Sequence, residues 1–259
     1  MSADDLILSD RPAPGIVRLT LNRPDKRNAL DLTLRRHLAA RFAALRDEDG
    51  LRCVILRGAG GDFSAGADVA DMARIDAIEM YHRHTERLWG AVADCPVPVI
   101  AAVEGHALGG GLELAMHADI IVVDPASRLG QPEVRVGIMP GAGGTQRLMR
   151  AVGKFRAMLM CLTAEIVTGD EALAMGLASR VAPPGEVQAA ALEIARTIAA
   201  MPPLAVAQIK EVMLAGADVP LSTALALERK AVQLLFASRD KTEGMTAFLE
   251  KRAPRYEGR

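Results

Sequence analysis

The sequence predicts an α/β fold that runs into an all-helical tail. Three features carry this prediction. Through the first half of the chain β-type runs alternate with helical periods, two strand candidates are apolar on both faces, and no strand signal follows Met201. Strand–helix alternation is the α/β pattern. Strands without a polar face belong in a sheet covered on both sides.

The elements follow in order. Val17, Leu19 and Leu21 alternate with Arg18 and Thr20, a half-buried strand that stops at Asn22-Arg23-Pro24. Leu34, Leu38, Phe42 and Leu45 recur at helical spacing over residues 31–46, and Gly50 closes the segment. Residues 53–56 read as a buried strand before the glycine-rich run 58–66. A helix fits 77–93, with His82, Arg83, Glu86 and Arg87 on a wet face. The apolar strands are 97–103 and Ile120–Val123. Thr168 and Glu171 form a capping box that starts a helix ended by Gly176. Past Pro202-Pro203, helices are predicted to Leu214, over 221–236 and over 241–251. The chain divides near residue 200 into a core, 1–200, and a helical region, 201–259, and it shows no internal repeat.

Composition narrows the function. A chain of 259 residues is one large domain, or a domain with an appendage, and buries a core without disulfides. Its 31 basic side chains nearly cancel 32 acidic ones, and its aromatics are one Trp, two Tyr and five Phe. Nucleic acid is therefore not an expected partner: no surplus charge meets a phosphate backbone and few rings stack on bases. From Arg196 onward ten Lys/Arg face seven Asp/Glu, a solvated helical surface and not a basic arm. Cys53, Cys95 and Cys161 form no CxxC pair, so they read as small apolar fillers in a reduced protein. The acidic Met-Ser-Ala-Asp-Asp start has no signal-peptide core, and the apolar stretch at 96–103 is too short to cross a bilayer. A cytoplasmic protein without a membrane partner is expected.

Several chemistries are absent from the sequence. Gly153-Lys154 leads to Phe155, so there is no phosphate-binding P-loop; neither glycine-rich run fits GxGxxG; Ser64 has Asp62 where GxSxG needs glycine. The five histidines contain no HExxH, His82 and His84 fall on opposite sides of one helix, and no metal site is expected. What remains is glycine beside carboxylates. Leu108-Gly109-Gly110-Gly111-Leu112-Glu113-Leu114-Ala115 runs from a strand into a helix, leaving N–H groups uncovered where the helix end is positive. Such a turn suits an anion or developing oxyanion, or serves only close packing. Phe63-Ser64-Ala65-Gly66-Ala67-Asp68 would supply a second donor. Glu113 in a first helical turn and Glu133 after Gly130-Gln131-Pro132 are candidate acid and base, although spacing alone does not bring them together.

Taken together, the chain resembles the crotonase (enoyl-CoA hydratase/isomerase) superfamily, and within it the hydratases. The residues that carry the resemblance are Leu21-Asn22-Arg23-Pro24 with Asn28-Ala29-Leu30, the two glycine-rich segments, Ala118-Asp119-Ile120 and Gly130-Gln131-Pro132-Glu133. Pro140-Gly141-Ala142-Gly143-Gly144-Thr145-Gln146-Arg147-Leu148 and Glu243-Gly244-Met245-Thr246-Ala247-Phe248-Leu249-Glu250-Lys251-Arg252 complete it. Ala118 and Ala164 depart from residues usual in relatives.

The resemblance implies a crotonase-like spiral of ββα units with a C-terminal helical region that builds homotrimers, often paired into hexamers. It implies an acyl-CoA substrate and no cofactor beyond that thioester. The amides of Ala67 and Gly110 would form the oxyanion hole; Glu113 would activate water and Glu133 would protonate C2 of a trans-2-enoyl-CoA, giving a 3-hydroxyacyl-CoA. Arg27, Ala29, Ala65, Asp68 and Val69 match CoA-binding positions, and Phe248 and Lys251 match a pair that reaches the CoA of a neighbouring subunit. Met72, Ile75 and Trp89 fall in or near the segment that walls the acyl pocket. Isomerases of the superfamily commonly keep only the glutamate matching Glu133, so a Δ3–Δ2 enoyl-CoA isomerase or another crotonase reaction is the alternative, and an RNA-binding relative a more distant one.

Overall fold

The computed structural model describes residues 6–259. Strands β1 (Ile7–Ala13) and β2 (Ile16–Leu21) form an antiparallel hairpin around Gly15, whose φ of 70° suits the tight turn. β2 pairs in parallel with β3 (Cys53–Gly58), which continues through β4 (Val99–Val103), β6 (Ile120–Val123) and β9 (Arg180–Val181). After three of these strands the chain crosses to a second, smaller layer. There β5 (His106–Leu108) pairs with β7 (Arg128–Gly130), and β7 with β8 (Ile166–Val167). Single bridges extend that layer backwards, Ser64 to Ala107 and Leu30 to Ala67. Each turn of the chain thus adds one strand to the large sheet and one rung to the small one, the crotonase-like spiral. Because the connecting segments differ in length and sequence, the repeat lies in the topology and leaves no trace in the residues.

The apolar strands are explained by their two faces. Side chains alternate across a strand. Val17, Leu19, Val54, Leu56, Val99 and Ala101 enter one core with Leu34, Leu38 and Phe42 of α1 (Leu32–Leu45). Ile16, Cys53, Ile55, Ile100, Ala102 and Val122 enter a second core under Val187, Ala191 and Ala195 of α9 (Val187–Ala199). Asp31 caps α1 by accepting from the Leu34 amide at 2.8 Å.

Two local expectations are corrected. The helix predicted over 77–93 is two helices, α3 (Ala77–Arg83) and α4 (Thr85–Ala93), broken at His84 in the left-handed region (φ 45°). α3 buries nothing whereas α4 buries Trp89 and Val92, so the two do not share one apolar stripe. Accordingly His82 and His84 do not face each other across one helix. β1 has no signal in the sequence because only Ile7 of it is buried, which removes the alternation.

After α9 the chain turns by 110° at Pro202 into α10 (Pro203–Gly216), followed by α11 (Leu221–Leu235) and α12 (Arg239–Glu250). Lys210 of α10 ties this region to the sheet, donating to Asp119 at 2.7 Å and to the Val97 carbonyl at 3.0 Å. No single helix among the described residues is long and apolar enough to cross a membrane.

Phe42, fully buried between α1 and the sheet, anchors the first core. Phe42→Ala is expected to destabilise the protein by about 3–5 kcal/mol, read as a lower urea midpoint with an unchanged slope.

Candidate active site

The site grows from one contact. β5 is followed by Gly109 (φ 50°), and α5 (Gly110–Ala115) starts directly against the segment that follows β3. A Cβ on Gly111 would stand 2.4 Å from the Ser64 carbonyl oxygen, so only glycine lets the helix approach. The Leu108 amide donates to that same carbonyl at 3.1 Å. Ser64, itself buried, holds the segment by donating to the Asn28 carbonyl and accepting from the Gly66 amide. As a result the amides of Ala67 and Gly110 line one cavity of about 640 Å³, and neither donates a hydrogen bond among the described residues.

Glu113 lies one turn into α5 and is 4% exposed. Its Oε1 accepts from the amides of Ala142 (2.7 Å) and Gly144 (2.8 Å), at the start of α6 (Gly144–Val152). Gly144 must be glycine, because a Cβ would stand 2.8 Å from that oxygen and 2.7 Å from Pro140. Burial raises the Glu113 pKa, while the two amides and the Arg35 guanidinium oppose the rise. His117, hydrogen-bonded to the Glu113 carbonyl at 2.7 Å, is pushed down to about 4 by burial and is neutral at pH 7.

Glu133 opens a short 3-10 turn, Glu133–Val136, and shares the cavity with Glu113. Its Oε1 would be 2.9 Å from a Cβ on Gly109. The hydrogen-bond network assigns the amide nitrogen of buried Gln131 as the donor to Glu133, at 3.0 Å to Oε1 and 3.2 Å to Oε2. Burial, and then the Glu113 charge, push the Glu133 pKa up to about 7. The two carboxyls therefore differ in balance: two amides and a guanidinium favour the charged form of Glu113, whereas at Glu133 the Gln131 donor is opposed by burial and by its neighbour's charge.

Of the other predicted residues, Met72 at the end of α2 (Val69–Met72) lines the cavity. Ile75 lies beyond α2, outside the lining. Trp89 does not reach it either: its ring is 1% exposed and packs 5.2 Å beneath the Arg35 guanidinium, on the inward face of α4. Ala29, Ala65 and Asp68 belong to two loops held together by Arg23. That guanidinium bonds the Ala29 carbonyl (2.6 Å), Asp31 (2.9 Å) and Asp68 (3.3 Å), while the Ala65 amide donates to the Arg27 carbonyl at 2.8 Å. The Arg27 side chain and Val69 are exposed nearby. Phe248 and Lys251, at the end of α12, are not brought to the cavity by this chain's own fold.

Sequence reasoning assigned no role to Gln131, the Ala142 and Gly144 amides, or Arg35. The signal for Arg35 was its place beside core Leu34 and Leu38, where a solvated helix face would turn away.

A spiral of this topology, with a buried and a half-buried glutamate and two uncovered amides around one cavity, defines the crotonase class. The chain belongs to the enoyl-CoA hydratase/isomerase family, whose model it matches over residues 12–259. A probable enoyl-CoA hydratase of Rhizobium meliloti (strain 1021) is 39% identical over the full length of both chains. The 2,3-dehydroadipyl-CoA hydratase of Escherichia coli (strain K12) is 40% identical, over 94% of this chain and 96% of its own. The crystal structure of an enoyl-CoA hydratase from Bacillus anthracis superposes with a TM-score of 0.95 at 37% identity, covering 98% of this chain and all of that one.

The raised Glu133 pKa has a stability consequence. Between the ordinary carboxyl value of 4.5 and about 7 the native protein retains a proton that the unfolded chain has lost, so this group makes stability fall as pH rises through that window. Glu133→Gln is expected to gain stability relative to the parent between pH 5 and pH 8 in urea titrations; an identical difference at both pH values would show an unperturbed carboxyl.

Proposed function

We propose that the protein is an enoyl-CoA hydratase, adding water reversibly and syn across the C2–C3 double bond of a trans-2-enoyl-CoA. The observation that carries this reading is the asymmetry of the two glutamates around one cavity: two backbone amides and the Arg35 guanidinium oppose the rise of the Glu113 pKa, whereas burial and the Glu113 charge push that of Glu133 up to about 7. Pairs of titratable groups pushed apart in this way divide acid and base roles.

The thioester carbonyl sits between the Ala67 and Gly110 amides, which carry the charge of the enolate; one such donor is worth about 3–4 kcal/mol. Glu113 takes a proton from water as the water oxygen bonds to C3. Glu133 gives its proton to C2 as the enolate collapses. The proton on Glu113 and the one lost by Glu133 exchange through solvent before the next turnover. Written so, hydration balances with water and the thioester alone, without a redox partner. Gln131 keeps the Glu133 carboxyl aimed into the cavity. Arg27, Ala29, Ala65, Asp68 and Val69 hold the CoA arm along the loops that Arg23 joins.

The helical region supports self-association, as a homotrimer or a pair of trimers in the cytoplasm. Its exposed apolar residues include Met213, Leu221, Leu234, Phe248 and Leu249. In such an assembly Phe248 and Lys251 would meet a neighbour's CoA. Light scattering is expected to give a mass of three or six chains, and a monomer would overturn that arrangement.

Purified protein is expected to abolish the ultraviolet absorbance of crotonyl-CoA's conjugated thioester. Glu113→Gln and Glu133→Gln should each slow this by about 10²–10⁴-fold. Parent activity should decline as pH rises through about 7, where Glu133 loses its proton. Intact turnover in both variants would refute the roles. Tolerance of Glu113→Gln together with faster consumption of a 3-enoyl-CoA would make the protein an isomerase instead.

A further inference from the structure

Arg35 is a cation of the cavity wall, near enough to Glu113 and Asp71 to feel their charge. Its Nε donates to the Leu30 carbonyl at 3.1 Å and its guanidinium lies over the Trp89 ring, but it makes no ion pair among the described residues. The carboxylates around it are committed elsewhere. Asp71 binds Arg83 at 2.7 Å, Asp31 binds Arg23 at 2.9 Å, and Glu113 Oε1 takes two backbone amides. Burial depresses the Arg35 pKa, with Glu113 and Asp71 opposing only in part. A guanidinium has five donors in a planar fork, and one with a single hydrogen bond to protein keeps the rest for what enters the cavity.

Its position says what would complete it. Arg35 Nη2 is 3.8 Å from where a Cβ on Gly110 would stand, so the free edge of the guanidinium reaches the cavity beside the thioester amide and Glu113. The same cavity is lined by Leu32, Met72 and Met80, side chains suited to methylene groups. The Arg27 side chain, on the outer loop, is more than half exposed and stands apart from this wall.

We propose that Arg35 is a specificity determinant that binds a carboxylate carried on the acyl chain, so that the preferred substrates are 2-enoyl-CoA thioesters of dicarboxylic acids. This rests on the hydratase reading for its reaction, but not for its binding.

The test compares trans-hex-2-enedioyl-CoA with trans-hex-2-enoyl-CoA, equal in length and differing in the terminal carboxylate. The parent protein is expected to have the higher kcat/KM for the enedioyl thioester. Arg35→Met should lower the enedioyl-to-enoyl ratio by about 10–100-fold, the range of a lost charge-assisted hydrogen bond. Arg35→Lys should lower it less, since it keeps the charge but not the fork. A parent that favours the enoyl thioester, or equal falls for both substrates in Arg35→Met, would overturn the proposal; equal falls would assign Arg35 to positioning Glu113. If the parent hydrates neither thioester, the hydratase reading fails and calorimetry decides. Tighter binding of adipyl-CoA than hexanoyl-CoA, lost in Arg35→Met, would uphold the carboxylate subsite, and equal binding in the parent would overturn it.

Discussion

The close approach of two backbones, at Gly111 and the Ser64 carbonyl, is the constraint on which the site depends. It brings the start of α5 against the segment after β3, leaving the Ala67 and Gly110 amides uncovered in one cavity. Backbone donors held this way need no rearrangement when charge develops near them, and that preorganisation is what a catalytic anion site requires. The same contact fixes Glu113, which rides one turn further along α5. Any side chain at 111 would separate the two layers of the spiral where they have to touch.

Around that contact the protein sets one buried and one half-buried carboxyl group with different support. Glu113 is held by the amides at the start of α6, in a loop that Gly144 allows to close over it. Glu133 is held by the neutral amide of Gln131 and faces its neighbour's charge. Neither arrangement favours folding, since burial raises both pKa values. The cost is carried by the double core of the sheet, whose strands bury both faces. A site that works against stability is thus set beside the two buried cores of the sheet.

The outer loops are ordered by polar hubs. Buried Asn28 accepts from the Arg23 amide and donates to the Ala59 and Asp62 carbonyls, and the Arg23 guanidinium joins the caps of α1 and α2. The bonds from Asn28 to Ala59 and Asp62 and from Arg23 to Asp68 span 31 to 45 residues of sequence. They give the loops around residues 23–31 and 59–68 one shared geometry.

By itself the sequence determined the α/β class, α1 with its buried Leu34, Leu38, Phe42 and Leu45, the central strands, the capping box at Thr168 and Glu171, and the helical tail. These follow from local periodicity and capping, which act within a few residues. It also marked the two glycine-rich turns and both glutamates as residues with chemistry. Tertiary structure alone decided that those turns face one cavity, that Gln131 and the α6 amides hold the carboxyls, and that α3 and α4 part at His84. It also turned Trp89 into the core and set Arg35 at the cavity wall. The reason is physical: burial, pKa and ion pairing depend on groups tens of residues apart in the chain, and no local pattern encodes which of them meet.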